Sequence, residues 1–179
     1  MKKVFMFIAV AVVTLTASAQ VYVGGETSFW REWKNGVNKT SFSIMPEVGY
    51  NLDGNWAVGT TVGYQYQYWK GNKINAFKVA PYVRYTYVNF GSVNLFLDGG
   101  FGFATYKVKT NGVTGDAQNA WEVGIKPGVS VNLTEKLSFI AHVGFLGYRE
   151  ADDEPVLGEN GLGFNLDGNA LSFGLYYNF

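Results

Sequence analysis

Eight ionisable side chains draw attention because each lies in a run of small or polar residues: Glu26, Glu47, Lys78, Arg84, Asp98, Glu122, Lys126 and His142. Carboxylates and cations taken out of water must pair, since an uncompensated buried charge costs several kcal/mol. Two kinds of chemistry are open to such a set: a salt-bridged plug, or a gated polar channel for ions or small solutes that opens by exchanging partners. His142 is the only histidine, and imidazole beside carboxylates is also a general acid–base arrangement. No His-x-Ser pairing accompanies it, so no catalytic group is assigned. The absence of cysteine excludes a thiol nucleophile and a thiolate metal site. The acidic set Glu150, Asp152, Asp153, Glu154 and Glu159 does not have EF-hand spacing, so no metal and no cofactor are assigned. Gly99, Gly100 and Gly102 lie within a strand pattern that leads to no helix, which makes them relief of crowding in a β wall rather than a nucleotide loop.

The elements that must hold these groups show a period of two throughout. Phe42, Ile44, Pro46, Val48, Tyr50 and Leu52 alternate with Ser43, Met45, Glu47, Gly49 and Asn51. The same happens over Val21 to Trp30, Trp56 to Trp69, Phe77 to Tyr87, Val93 to Tyr106, Trp121 to Leu133, Leu137 to Phe145, and in a last strand ending at Phe179. This reads as eight strands. Three short turns, at 53–55, 89–92 and 134–136, alternate with four longer loops at 31–40, 70–75, 107–119 and 149–163. Leu137, Phe139, Ala141, Val143 and Phe145 are assigned to one outward row, and a bulge at 167–169 is required if the last strand begins at Phe164. Pro46, Pro81 and Pro127 head three segments that align without gaps, each running into a turn, and Phe173 takes the same place in a fourth. A proline cannot donate to a ladder, so three in one outward row mark placed bends or breaks.

All eight ionisable residues fall on the small, polar face. Polar inside and apolar outside is the reverse of a water-soluble barrel, and suits a bilayer, where only a closed sheet satisfies every backbone group. Tyr50, Trp56, Tyr87 and Phe179 near the turns, with Trp30, Tyr66, Tyr68, Trp121 and Phe145 near the loops, form two aromatic belts. Counted from the turns, Glu26, Glu47, Asp98 and His142 share a level with Arg84 and Lys126 close to it, and Glu122 and Lys78 lie higher.

The chain has 179 residues, 47% hydrophobic, 17% aromatic and 16% charged, with 23 glycines, enough for one domain. Lys2 and Lys3, the apolar run Val4 to Val13 and the small-x-small site Ala17, Ser18, Ala19 read as a signal peptide over 1–19 that leaves a domain of 20–179. Removing two of the 14 Lys and Arg leaves 12 against 14 Asp and Glu, a net charge of −2. That balance argues against a nucleic-acid partner.

The ending Ser172, Gly174, Tyr177, Phe179 resembles the C-terminal assembly signal of bacterial outer-membrane barrels. With the alternation, the loop asymmetry and the proline-marked hairpin repeat, the whole segment after residue 19 is similar to the small eight-stranded outer-membrane β-barrels of the OmpA and OmpX type. It looks most like the outer-membrane β-barrel domain common in Bacteroidetes. The resemblance implies an all-β, eight-stranded, antiparallel up-and-down transmembrane barrel in the outer membrane of a Gram-negative cell, placed by the assembly machinery after cleavage near Ala19. It implies a structural or surface-interaction role through the outer loops, with a narrow pore as the alternative. A lipid A-modifying enzyme stands third, since barrels that cut or transfer acyl chains of lipid A use a His with a Ser and an acid near the loops. Expected partners are outer-membrane lipid and lipopolysaccharide, whose phosphates suit Arg31, Lys34, Lys39, Lys70, Lys73, Lys107 and Lys109, and an extracellular ligand of the loops.

Overall fold

A computed structural model describes residues 20–34, 37–110, 112–152, 160–165 and 172–179, without the side chains of 30, 32–34 and 37. The expected signal peptide and the 167–169 bulge lie outside the described residues. The strands are β1 (Val21–Lys34), β2 (Val37–Asn51), β3 (Trp56–Trp69), β4 (Asn72–Phe90), β5 (Val93–Thr110), β6 (Val113–Asn132), β7 (Leu137–His142), β8 (Phe145–Ala151), β9 (Gly161–Asn165) and β10 (Ser172–Asn178). Every pairing is antiparallel. β6 carries β7 and β8 end to end, β7 pairs with β10, β8 with β9, and β10 returns to β1. Taking β7 with β8 and β9 with β10 as single staves, eight staves close into a ring, the last closure running over Tyr22–Glu26 of β1 against β10.

The alternation holds as the sequence predicts on most staves, with Ile44, Val48, Tyr64, Phe77, Val83, Phe101, Val123 and Leu175 on the exposed outer face. The three prolines break the ladder in one repeated way. Between the pairs Ile44–Tyr64 and Glu47–Thr61, and again between Val79–Phe103 and Tyr82–Gly100, two residues on each strand go unpaired. Pro46 and Pro81 lie in those gaps, and each remains paired on its other side, with Gly25 and Thr60. At Pro127 the gap becomes a bulge. Residues 126–127 face 143–145 between Gly128–His142 and Ile125–Leu146, and the Pro127 carbonyl accepts the Val143 N–H at 2.9 Å. The missing proline N–H accounts for each gap.

That bulge corrects one assignment. The extra residue reverses the phase of the stave, so Phe145 is buried inside at 6% exposure and Leu146 takes the outer face at 48%. Phe145 is thus not part of the outer aromatic belt. Gly144, with φ of 126°, supplies the conformation that side-chain-bearing residues rarely adopt. Of the other belt residues, the side chain of Trp30 is outside the described set, while Tyr50, Trp56, Tyr68 and Tyr87 face outward.

The longer loops are also shorter than their polarity suggests. β1 and β2 stay paired to Lys34–Val37, β3 and β4 to Trp69–Asn72, and β5 and β6 to Thr110–Val113. Lys70 and Gly71, both at positive φ (45° and 82°), make a two-residue hairpin turn. Strands of 19, 18 and 20 residues for β4, β5 and β6 exceed the roughly 10 needed to cross a bilayer. Their upper ends therefore stand beyond the membrane as a continuous sheet.

Candidate functional site

The polar face of the strands converges inside the ring, and the eight predicted residues gather there in two layers. The lower layer centres on Arg84. Its Nε and Nη2 donate to Asp98 Oδ1 and Oδ2, both at 2.7 Å, and Nη2 lies 3.8 Å from Glu47 Oε1. Four rings box the guanidinium, with centroids at 4.0 Å for Phe96, 5.2 Å for Tyr82, 5.4 Å for Tyr176 and 5.9 Å for Tyr22. The hydroxyls of Tyr82 and Tyr176 donate to opposite oxygens of Glu47, Thr61 adds a longer bond at 3.4 Å, and Tyr22 bonds Tyr82. Every ring of the box lies directly across the ladder from a glycine: Tyr22 from Gly49, Tyr82 from Gly59, Phe96 from Gly128 and Tyr176 from Gly24. A Cβ at any of these glycines would come within 2.1–2.4 Å of the facing ring or its hydroxyl. The box exists because those four positions carry no side chain.

His142 completes this layer. Its Nδ1 lies 2.8 Å from Glu26 Oε1 and its Nε2 2.8 Å from Asp98 Oδ2. With an ionised carboxylate on each nitrogen, both must donate, which is the imidazolium form. Glu26, Glu47 and Asp98 against Arg84 and His142 then leave one net negative charge. Ser172, opposite His142 in the register, bonds the Glu26 carboxylate rather than an imidazole nitrogen. Both nitrogens are therefore occupied, and among the described residues no hydroxyl is bonded to this histidine.

The upper layer inverts the balance. Glu122 Oε1 accepts from Lys78 and Lys126, each at 2.7 Å, and Oε2 accepts from Arg149 at 3.1 Å. Three cations on one carboxylate leave two net positive charges. Lys126 starts at the level of Arg84 and Asp98 in the register but reaches four residues up its own strand to Glu122. The Arg149 guanidinium sits 3.7 Å above the Phe145 ring. Gly102 faces Glu122 and gives its carboxyl room, since a Cβ there would meet Glu122 Cγ at 2.8 Å.

Between the layers lies a cavity of about 230 Å³, lined by Glu26, Asp98, Lys126, His142, Arg149 and the small residues Ala80, Gly100 and Gly124 among others. Below the Arg84 layer a wider polar recess of about 580 Å³ runs to the turns past Asn51, Asn94, Ser130 and Asn178. Above the cations, Ile74, Ala76, Ala104, Tyr106, Ala120 and Ala151 pack as an apolar cap with Trp69 and Val108 against it. Among the described residues no cluster of potential metal ligands occurs.

Arg149, Phe96 and Phe145 escape a sequence reading. Arg149 falls in a polar stretch taken for loop, and the one-residue shift at Gly144 that carries it inside is invisible to an unbroken period of two. Phe96 is an apolar residue on the inner face, 1% exposed. Its only sequence signal is that it stands one position from each of the outward Leu95 and Leu97. Ser172, Gly174, Tyr177 and Phe179 form the closing stave. Gly174 pairs with Glu26, Tyr177 faces outward edge-on to Phe179 at 5.2 Å, and the Phe179 N–H donates to the Val21 carbonyl at 3.1 Å.

The sequence profile of the outer membrane protein beta-barrel domain matches residues 4–179. The chain belongs to this family. Among solved structures it is similar to Neisserial surface protein A, at 17% identity and a TM-score of 0.57, over 90% of this chain and 98% of that one. The translocator domain of the autotransporter NalP from Neisseria meningitidis aligns at 10% identity with a TM-score of 0.47, over 99% of this chain and 98% of that one. No functionally curated protein matches at a significant level. The first likeness is one of fold. With the closed ring and its inverted faces, membership in the outer-membrane β-barrel family makes this an integral protein of the outer membrane, its strands crossing the bilayer.

Proposed function

We propose that this is a non-conducting, non-enzymatic outer-membrane barrel with a structural or surface-interaction role, acting through the hairpins that stand above the bilayer. The observation that supports this most is that the ring-boxed Arg84 layer fills the lumen, with an apolar cluster around Tyr106 packed on the inner face of β4, β5, β6 and β8 above the cations. An eight-stranded interior is just wide enough for its own side chains. Here the charges and rings of the Arg84 layer fill it. Lipopolysaccharide of the outer leaflet and an external ligand of the hairpins are the partners this reading calls for. The export signal over 1–19 and the terminal Ser172, Gly174, Tyr177, Phe179 are read as the targeting and assembly elements.

The purified barrel in planar lipid bilayers is expected to show no steady single-channel openings. Regular openings that vanish on changing Lys126 or Glu47 would replace this reading with a gated channel. That alternative draws on the two cavities that flank the Arg84 layer. Tyr82→Ala, which removes one ring from the box around Arg84, is expected to raise conductance above the wild-type baseline.

A further inference from the structure

The outer surface of β3, β4 and β5 carries three lysines that the lumen does not use. Lys73 and Lys109 are direct cross-strand partners, and Lys107 lies two residues from Lys109, paired with Asn75. All three point away from the barrel axis, because the intervening Ile74 and Val108 turn inward to the apolar cap. Like charges placed directly opposite on a ladder repel, and among the described residues no carboxylate forms an ion pair with them. Asp116, on β6 beside the irregular register at Lys107 and Lys109, forms no ion pair with either. The Tyr68 ring holds the Lys73 ammonium at 5.8 Å, and the Tyr64 hydroxyl donates to Asn75 Oδ1 at 2.7 Å, which leaves the Asn75 side-chain N–H groups as further donors.

The height of this patch is fixed by the register. Tyr64, Phe77 and Thr105 form one cross-strand row, Tyr66, Asn75 and Lys107 the next, and Tyr68, Lys73 and Lys109 the one above. With about 3.4 Å per residue along strands tilted by roughly 40°, the lysines stand roughly 5 and 10 Å above Phe77. Phe77 and Phe103 are exposed apolar rings facing the bilayer. The lysines therefore leave the hydrocarbon at the level of lipid head groups, on the side of the long hairpins, which is the cell exterior in an outer-membrane barrel.

We infer that Lys73, Lys107 and Lys109, with Asn75 and Tyr68, form a binding site on the barrel wall for the phosphorylated head group of an outer-leaflet glycolipid. This rests on the surface-interaction reading above and gives it a specific lipid partner. The phosphate supplies the missing counter-charge to the Lys73–Lys109 pair, and the amide of Asn75 suits a sugar hydroxyl or phosphate oxygen. A lipid held there stays in place because its acyl chains lie against Phe77 and Phe103.

The test is native mass spectrometry of the folded protein in detergent, titrated with phosphorylated lipid A, with the same lipid after phosphatase treatment, and with inorganic phosphate. The wild-type protein is expected to retain phosphorylated lipid A and to bind the dephosphorylated form far more weakly. Lys73→Gln, Lys107→Gln and Lys109→Gln together are expected to remove this preference, at roughly fivefold per lysine and so about a hundredfold in all. The triple change to Arg should keep it. Lys136→Gln, a cation in the turn at the opposite end of the barrel, should leave binding unchanged. Equal binding of the two lipids, or a triple Gln variant that binds like wild type, would overturn the site. Competition by inorganic phosphate at the lipid's own concentration would overturn its assignment to a lipid. Heat-modifiable gel migration confirms that each variant is folded. Conductance of the wild-type barrel would sink the sealed-lumen reading without touching this result, and loss of the lipid preference would leave that reading intact.

Discussion

The two charged layers of the lumen use the same kinds of residue and are built in opposite ways. In the lower layer the central charge is enclosed: the Arg84 side chain is 9% exposed, carries a two-point bond to Asp98 and is faced by four rings. In the upper layer three cations share Glu122, and Lys126 is 33% exposed to the cavity. The first arrangement spends aromatic volume and four glycines on closing the bore. The second leaves space and a surplus of positive charge. What separates a seal from a solvated cluster is therefore the packing around the charges, more than their number.

The largest expected effect breaks the enclosed layer. Arg84→Met leaves Asp98 and Glu47 buried without their main cation, and a lost partner in a buried pair costs ~3–5 kcal/mol. Urea unfolding of the refolded barrel in detergent reads this as a lower midpoint. Arg84→Met with Asp98→Leu is expected to regain only part of the loss, because Glu47 stays without its cation and His142 loses its bond to Asp98. A single variant as stable as wild type would show that the lower layer is as open to water as the upper one.

Next in size is the fit of ring to glycine. Gly59→Val pushes a side chain into Tyr82, and overpacking of this kind costs ~1–3 kcal/mol. The matched control is Gly99→Ala, where nothing lies within 4 Å of the added Cβ, and the midpoint is expected not to move. If both changes behave alike, the rings are not held by their glycines.

These pairs also show how far a one-dimensional pattern carries. The inner placement of Tyr22, Tyr82, Arg84 and Asp98 is legible because hydrophobic residues alternate with them along unbroken strands. So are the breaks at Pro46, Pro81 and Pro127, since a residue without an N–H cannot be ladder-neutral. Ile74 and Phe96 are not legible, because a rule that assigns faces by polarity sends every apolar residue outward. The upper halves of β4, β5 and β6 escape for a related reason. Outside the bilayer nothing selects apolar side chains for the outer face, so the pattern fades at Lys73 and Lys107 while the hydrogen-bonded ladder continues. Arg149 is lost at the Gly144 bulge, where one extra residue reverses every assignment after it. The glycine opposite each ring is present in the sequence, but the pairing that gives it meaning comes only from the register.

The smallest expected effect lies in the upper layer and completes the contrast. Lys126→Met removes one of three cations from Glu122, which keeps Lys78 and Arg149 at 2.7 and 3.1 Å. Lys126 is the most exposed member, so solvent already screens its ion pair, and the expected cost is below ~1 kcal/mol. Glu122→Gln acts differently in the same layer, since it leaves three cations around a neutral amide with no shared counter-charge, and should cost more than Lys126→Met. Urea midpoints of the two variants at low and high salt separate the causes. Repulsion among Lys78, Lys126 and Arg149 is relieved by salt where it is solvated, so the deficit of Glu122→Gln should shrink as salt rises, while that of Arg84→Met, enclosed by its rings, should hold. A salt-independent deficit in both would mean that the upper cavity is as dry as the lower layer, and the distinction between the two layers would fall.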